Sequence, residues 1–446
     1  MRKILILGAG LSTTSLVSYL LDHAHLENWE IVLGDLDISI ARKKLKDHPR
    51  GKAITFNICK LEEHLDDFVN ADLVISMLPA RFHHFVADAC LEHNKSMVTA
   101  SYVSPEIKAL DEKVREKGLS FLNELGVDPG IDHMSSMQII DRIKSRGGKL
   151  ISFKSRTGGL IAPESDNNPW NYKFTWNPRN VVLAGQGTSM FIRNGKYKYI
   201  PYHKLFKRLE YTTIQDVGEF EIYPNRDSLK YRKTYQLCDI PTMIRGTIRR
   251  KGFCEAWDVF VQLGLTDDSY TIEDSEHMTY RQFVNSFLRY EPGVPVEKKI
   301  ADYLGIEPEG DIMNKIKWLG LFDDEPVNLV EATPATILQK KLEEKWGLEP
   351  GDKDMIVMEH LIEWELGEKL YQTKSSLVVR GKNREETAMA ITVGTPVAIA
   401  AKLILNGTIK ETGVQIPIKP EIYNPILNEL QEAGISFAEE TIELGN

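Results

Sequence analysis

Residues 4–7 form an apolar run with no polar interruption, the pattern of a strand buried on both faces. Gly8-Ala9-Gly10 ends it abruptly, and Leu16, Val17, Leu20 and Leu21 follow at helical spacing. The hydroxyls of Ser12, Thr13 and Thr14 stand where helix caps belong. Residues 30–35 make a second apolar strand that stops at a carboxylate, Asp35. The alternation continues with a short helix over 38–45, a strand over 53–58, an acidic amphipathic helix over 61–69 and a buried strand over 72–79. His83 and His84 read as the polar start of the next helix. Residues 95–102 and 119–122 are further strands, Pro105 takes a first helical position, and a glycine- and proline-rich turn leads into a helix over 131–146.

At Gly147-Gly148 the rhythm changes. Residues 151–156, 197–200, 212–223 and 243–250 read as strands joined by long polar connections, which predicts a second domain with an open mixed or antiparallel sheet. Amphipathic stretches at 283–290, 298–304 and 335–346 predict helices inserted into it. Residues 355–366 and 374–381 return as strands. Residues 387–405, long and almost uncharged, read as a buried helix packing the two domains together.

A chain of 446 residues exceeds what one core comfortably serves, so two or three domains are expected. Its 42% hydrophobic and 27% charged content is that of an ordinary globular protein, and a net charge of −9 argues against a nucleic-acid surface. Cys59, Cys90, Cys238 and Cys254 are scattered without a paired spacing, and read as reduced thiols with no metal site. No run approaches a membrane span and nothing at the start reads as a signal peptide, so cytoplasm is the default.

The candidate chemistry gathers where the strands of the first region end. Gly8 permits a sharp turn, Gly10 lets the backbone approach a phosphate, and the helix that follows offers unpaired N–H groups to a dinucleotide pyrophosphate. Thr13 replaces the third glycine of the usual pattern. Asp35 closes the second strand, where a carboxylate accepts the ribose hydroxyls of NAD and repels the 2′-phosphate of NADP; neither Gly34 nor Leu36 supplies a cation. Residues 76–80 and Tyr102 face the same strand-end crevice. The turn from Glu124 to His133 brings Asp128 and Asp132 to that edge, Asp128 as an acid–base group and Asp132 equally as a helix cap.

Eight segments in order resemble saccharopine dehydrogenases of the glutamate-forming type: Leu5-Ile-Leu-Gly-Ala-Gly10, Val98-Thr-Ala-Ser-Tyr-Val-Ser-Pro105, Asn123-Glu-Leu-Gly-Val-Asp-Pro-Gly-Ile-Asp-His133, Ser155-Arg-Thr-Gly-Gly-Leu160, Tyr172-Lys-Phe-Thr-Trp176, Tyr223-Pro-Asn-Arg-Asp-Ser228, Ile244-Arg-Gly-Thr247 and Thr392-Val-Gly-Thr-Pro-Val-Ala-Ile-Ala400. The resemblance implies an α/β fold with an N-terminal Rossmann domain over 1–130. It further implies a mixed α+β substrate and dimerisation domain over 131–385, with a helical insertion at about 255–355, and a segment 386–446 returning to the first domain. It implies conversion of saccharopine to glutamate and allysine by a homodimer, with no metal, nucleic acid or membrane involved.

By the same resemblance, Asp128 and Tyr102 stand beside the reacting amine, and Ser101, Arg226, Arg245, Gly246 and Thr247 hold substrate. The dinucleotide meets Gly8, Gly10, Leu11, Ser12, Thr13, Asn57, Ile58, Leu78, Ala100, Ser101, Val127, Asp128, Pro129 and Asn177, with Asp35 favouring NAD over NADP. Arg249, Arg250 and Lys251 read as a solvated face. Thr157 replaces a cysteine of some members, which argues against a required thiol, and Ala80 replaces a tyrosine beside the substrate. The enzyme that condenses lysine is expected to be another chain. A dehydrogenase of carboxylated polyamines and a non-catalytic dinucleotide sensor are the alternatives; both arginines favour saccharopine, and retention of Asp128 and Tyr102 argues against the sensor.

Overall fold

The computed structural model describes residues 1–214 and 216–445, and divides them into two compact units. The first comprises Met1–Leu150, Trp364–Tyr371 and Leu377–Asn446, and the second Ile151–Glu363 and Gln372–Ser376.

The first unit is built on β1 (Arg2–Leu7), β2 (Trp29–Asp35), β3 (Gly51–Thr55), β4 (Leu73–Ser76), β5 (Ser96–Thr99) and β6 (Ser120–Leu122), all paired in parallel. The apolar run of β1 is buried on both faces because β1 is central. Helices α1 (Thr13–His23), α2 (Ile38–Leu45), α3 (Leu65–Val69), α4 (His83–Glu92), α5 (Pro105–Lys108), α6 (Asp111–Glu116) and α7 (Ile131–Ser145) connect or follow these strands. The stretch expected as a strand over 53–58 ends earlier, since Asn57 caps a 3-10 turn over Ile58–His64.

The second unit opens with β7 (Lys149–Ile161), whose first residues still belong to the first unit. After α8 (Pro178–Val182) come β8 (Thr188–Arg193), β9 (Lys196–Pro201), β10 (Glu210–Ile214), β11 (Gly218–Pro224), α9 (Lys230–Thr234) and β12 (Thr242–Arg250). The stretch 212–223 is two strands, not one: β10 and β11 pair antiparallel, with Gln215 outside the described residues. Asp216 and Gly218, both at positive φ, mark the reversal, a turn signal that the single-strand reading passed over. β11 runs antiparallel to β12 and β12 parallel to β7, so the sheet is mixed, as its uneven connections imply. Helices α10 (Phe253–Leu263), α11 (Tyr280–Asn285), α12 (Val296–Leu304), α13 (Asp311–Leu319) and α14 (Pro334–Trp346) follow, around a core in which Trp170, Trp257 and Trp346 pack with Phe253. Strands β13 (Asp354–Leu366) and β14 (Lys369–Arg380) continue this sheet beside β7, and β16 (Ala438–Leu444) lies at its edge.

The chain then re-enters the first unit. α15 (Ala388–Leu405) is long and apolar enough to cross a membrane by length and composition, contrary to the expectation that no run approaches a span. It is a core helix, with two-thirds of that length buried. β15 (Gly413–Gln415) pairs in parallel with β6 and closes a seven-stranded sheet of order β15-β6-β5-β4-β1-β2-β3. α16 (Pro420–Glu432) follows, and its Tyr423 donates a hydrogen bond to Asp141 of α7 at 2.8 Å. β16 (Ala438–Leu444) ends the ordered elements.

α15 reaches the start of α1 because Gly394 has no side chain: a Cβ there would lie 2.7 Å from the carbonyl oxygen of Ser12 and 2.8 Å from the Leu16 amide nitrogen. Both neighbours are backbone and cannot move aside cheaply. Gly394→Ala should therefore lower stability by about 1–3 kcal/mol, the usual cost of overpacking. Gly10→Ala, whose Cβ meets nothing within 4 Å, should leave the thermal midpoint unchanged. Thermal unfolding of the two variants checks the contrast, and equal midpoints would contradict this packing.

Candidate active site

The strand order of the first unit reverses direction at β1, flanked by β2 on one side and β4 on the other. Connections leave these two strands toward opposite faces, which opens a crevice beyond their carboxyl ends. Gly8 turns the chain there at φ 100°, so close to the exit of β4 that a Cβ would lie 2.7 Å from the Met77 carbonyl oxygen. Only glycine fits. Gly10 faces open space.

The expected hydroxyl caps of α1 are not formed by Ser12, whose side chain makes no capping bond. Thr13 and Thr14 turn their hydroxyls back onto the carbonyls of Gly10 and Leu11, at 2.6 and 3.2 Å. These bonds follow from a helical conformation at Ser12, which begins the turn one residue early. The Thr13 and Thr14 amides donate to the same two carbonyls, at 3.2 and 3.5 Å, and the buried Thr13 steadies the turn in place of the third glycine.

Asp35, at the end of β2, accepts from the Ala9 amide at 2.7 Å and from the Asp37 amide at 3.1 Å. The carboxylate therefore braces the glycine turn. Beside the turn lies a cavity of about 850 Å³ lined in part by Gly10, Leu11, Thr14, Lys43, Lys44 and Arg384. Lys44 donates to the Thr14 hydroxyl at 2.5 Å, and burial pushes its amine down to about 8. Lys43 pairs with Glu385 at 2.6 Å. This charged rim, which also holds Asp22, Glu385 and Glu386, was missed from sequence: Arg384 joins it from a distant part of the chain, and the lysines looked like the outer face of α2.

Two loops carry the proposed acid–base groups. Ala100, Ser101 and Tyr102 follow β5, and Val127, Asp128 and Pro129 follow β6. Glu124, held at φ 58°, joins them: one carboxylate oxygen accepts from the Val103 amide at 3.1 Å and the other lies 2.8 Å from Nε2 of His133. Its own amide donates to the Ser101 carbonyl at 3.0 Å. The Asp128 turn closes on itself through the Gly126 amide and Pro129 carbonyl at 2.8 Å, and Gly130 is required because a Cβ would strike the Gly126 backbone. Asp132, buried in the first turn of α7, accepts from the Gly130 amide at 2.6 Å. Asp128 is half-buried and Tyr102 exposed. Leu78 follows β4 near Gly8, while the Asn57 side chain is engaged by the Cys59 amide and Ile58 is buried.

His83 is not the solvated helix start that its sequence suggested. It is buried, with Nδ1 2.8 Å from the Ser76 hydroxyl and Nε2 2.6 Å from the Ser101 hydroxyl. Burial pushes its imidazole down to about 4. At helical spacing it shares a face with the buried Val86, Ala87 and Cys90, a periodicity that its reading as a polar helix start passed over.

The second unit brings the arginines together. Arg226 sits just after β11 with φ 40°, a conformation rare outside glycine, and its exposed side chain has no ion-pair partner among the described residues. The Asn225 amide donates to the Arg245 carbonyl at 2.8 Å, and the Arg245 amide donates to the Ser228 hydroxyl at 2.9 Å, which stitches this loop to β12. The buried Arg245 guanidinium lies 4.1 Å from the centre of the Tyr231 ring. Gly246 is buried and Thr247 half-buried on the same strand. Asn177 caps α8 in this unit through the Asn180 amide at 3.3 Å. Arg249 is not solvated: at 4% exposure it lies among the rings of Tyr172, Tyr223 and Phe253. Strand alternation puts it on the same face as Arg245, and that face is covered.

Two family profiles match the chain: the saccharopine dehydrogenase NADP binding domain over residues 4–122 and the saccharopine dehydrogenase C-terminal domain over residues 126–435. A saccharopine dehydrogenase [NADP(+), L-glutamate-forming] of Schizosaccharomyces pombe is 34% identical over 99% of this chain and 100% of its own length. The mitochondrial alpha-aminoadipic semialdehyde synthase of Mus musculus is 35% identical, and the chain spans 48% of that protein. Among solved structures, the apo saccharopine dehydrogenase (L-Glu forming) of Saccharomyces cerevisiae superposes with a TM-score of 0.90 at 31% identity, over 99% of this chain and 100% of the other.

Glu124 is the tie between the two loops, so its removal has a readable cost. Glu124→Ala should destabilise the protein by about 1.5–3 kcal/mol, the worth of hydrogen bonds to a charged group. Glu124→Gln, which keeps an oxygen for the Val103 amide, should lose less. Denaturant unfolding measures both, and equal losses would show that the carboxylate is not the tie.

Proposed function

The chain belongs to the saccharopine dehydrogenase family, and we propose that it interconverts saccharopine with L-glutamate and allysine, using a nicotinamide dinucleotide. The observation that carries this reading is the strand-end crevice of the first unit, where an open glycine turn stands with two loops, bearing Tyr102 and Asp128, locked by one carboxylate.

A bound nicotinamide dinucleotide would supply the hydride acceptor for the carbon beside the substrate's secondary amine. Gly8 and Gly10 shape the turn for the pyrophosphate, and the start of α1 supplies amides and a favourable dipole. Asp128 takes the proton of the substrate amine. Asp128 and Tyr102 then move protons as water adds to the resulting carbon–nitrogen double bond and the amine leaves as glutamate. Arg226 and Arg245 hold substrate carboxylates, a task suited to the planar guanidinium fork. A multiply anionic substrate needs such fixed cations on a chain of net charge −9.

For the cofactor we favour NAD. Asp35 puts a carboxylate at the turn, and the residue after it, Leu36, is exposed and uncharged. Lys43 is paired with Glu385, which offsets its charge. The names of the relatives point instead to NADP, and Lys44 beside Thr14 supports that second reading. The two readings diverge on one measurement, the ratio of kcat/KM for NAD and NADP with saccharopine. NAD should be preferred, and Asp35→Ser should narrow the ratio. A preference for NADP by about ten-fold, equivalent to about 1.4 kcal/mol, would overturn the assignment. In that case NADP affinity should fall as pH rises through about 8, where Lys44 loses its proton, while NAD affinity holds steady.

Arg226→Ala and Arg245→Ala should each raise the KM for saccharopine about ten-fold or more, from the loss of a charge-assisted hydrogen bond. Dinucleotide affinity should barely move. Steady-state kinetics with fluorescence titration of the reduced cofactor checks this, and equal weakening of both ligands would contradict it.

A further inference from the structure

We infer that His83 is a positioning residue, which fixes the orientation of the Ser101 hydroxyl through a Ser76–His83–Ser101 chain. The inference rests on the reading above that Ser101 meets cofactor and substrate. It goes further by assigning the hydroxyl's direction to a buried side chain on another element.

The geometry is closed on both sides of the ring. Nδ1 lies 2.8 Å from the Ser76 hydroxyl and Nε2 lies 2.6 Å from that of Ser101, so both nitrogens are used. Ser76 is fully buried at the end of β4, His83 opens α4, and Ser101 follows β5. The ring therefore spans the exits of two neighbouring strands of the parallel sheet. A neutral imidazole donates from one nitrogen and accepts at the other. Ser76 and Ser101 are thus bound in opposite senses, and whichever tautomer is present sets whether Ser101 offers its proton or its lone pairs to a ligand.

A histidine that only fills the core has no need of Ser101. The Ser101 backbone is independently held, its amide by the Thr99 hydroxyl at 3.2 Å and its carbonyl by the Glu124 amide. With the main chain fixed, rotation about the Cα–Cβ bond is the freedom left to that hydroxyl, and Nε2 of His83 removes it. The imidazole stays neutral because burial pushes it down to about 4, so the chain keeps its polarity through the neutral pH range. That makes His83 an aiming device and not a proton donor in its own right.

Two replacements separate aiming from packing, because each amide reproduces one half of the ring. In His83→Asn the amide reaches about where Nδ1 sits and can meet only Ser76. In His83→Gln it reaches about where Nε2 sits and can meet Ser101. Kinetics with saccharopine and fluorescence titration of the reduced dinucleotide should show kcat/KM falling about ten-fold in the Asn variant, one hydrogen bond's worth, and less than about three-fold in the Gln variant. In a Ser101→Ala background, His83→Asn should cost no more than about two-fold further, since the group it acts through is gone. Thermal midpoints of all variants record any loss of packing. Equal losses in Asn and Gln, or an undiminished cost of His83→Asn on top of Ser101→Ala, would overturn the inference. Should the unaltered protein bind dinucleotide yet leave saccharopine untouched, the functional reading fails. The same Asn and Gln comparison on dinucleotide affinity then decides the role of His83 on its own.

Discussion

Backbone amides at the carboxyl edge of a parallel sheet have lost their ladder partners, and they must find acceptors elsewhere. In the first unit three carboxylates supply them. Asp35 accepts from Ala9, Glu124 from Val103 and Asp132 from Gly130. Each bond closes a different loop, so the glycine turn, the Tyr102 loop and the Asp128 turn are all set by acidic side chains reaching back to the main chain. The arrangement gives these loops the rigidity of the strands beneath them. It also gives the acidic residues at this edge a structural task, since each carboxylate is held by backbone donors.

Much of this was legible in the chain. The uninterrupted run at β1, the Gly8-Ala9-Gly10 break and the apolar spacing of α1 fixed the first unit's architecture, because a buried parallel strand and an amphipathic helix differ in period. Asp128 and Tyr102 fell at strand ends, where the fold concentrates chemistry. What escaped was long-range or depended on which way one side chain faced. Ser12 looked like a cap, yet the helical turn begins at it. His83 was read by its polarity and not by its helical spacing from Val86, Ala87 and Cys90, and Arg249 lies in a run of cations; both are buried. The reversal between β10 and β11 was marked only by Asp216 and Gly218, and Arg384 reaches the cavity rim only through the chain's return.

The arginines illustrate the difference between identifying a residue and knowing its state. Arg226, Arg245 and Arg249 lie within one short span of sequence, but the fold gives each a different setting. Arg226 is exposed in a strained backbone conformation, Arg245 lies over an aromatic ring, and Arg249 is enclosed by aromatic rings.

Saccharopine carries two different carbons beside its secondary amine, and the choice between them is the central claim. Oxidation on the lysine-derived side yields glutamate and allysine, whereas oxidation on the glutamate-derived side yields lysine and 2-oxoglutarate. Incubating the protein with saccharopine and oxidised dinucleotide, and identifying both products by mass spectrometry, distinguishes them. Glutamate and allysine should appear in equal amounts, matched by the reduced cofactor formed. Lysine with 2-oxoglutarate, or reduced cofactor without either pair, would contradict the account.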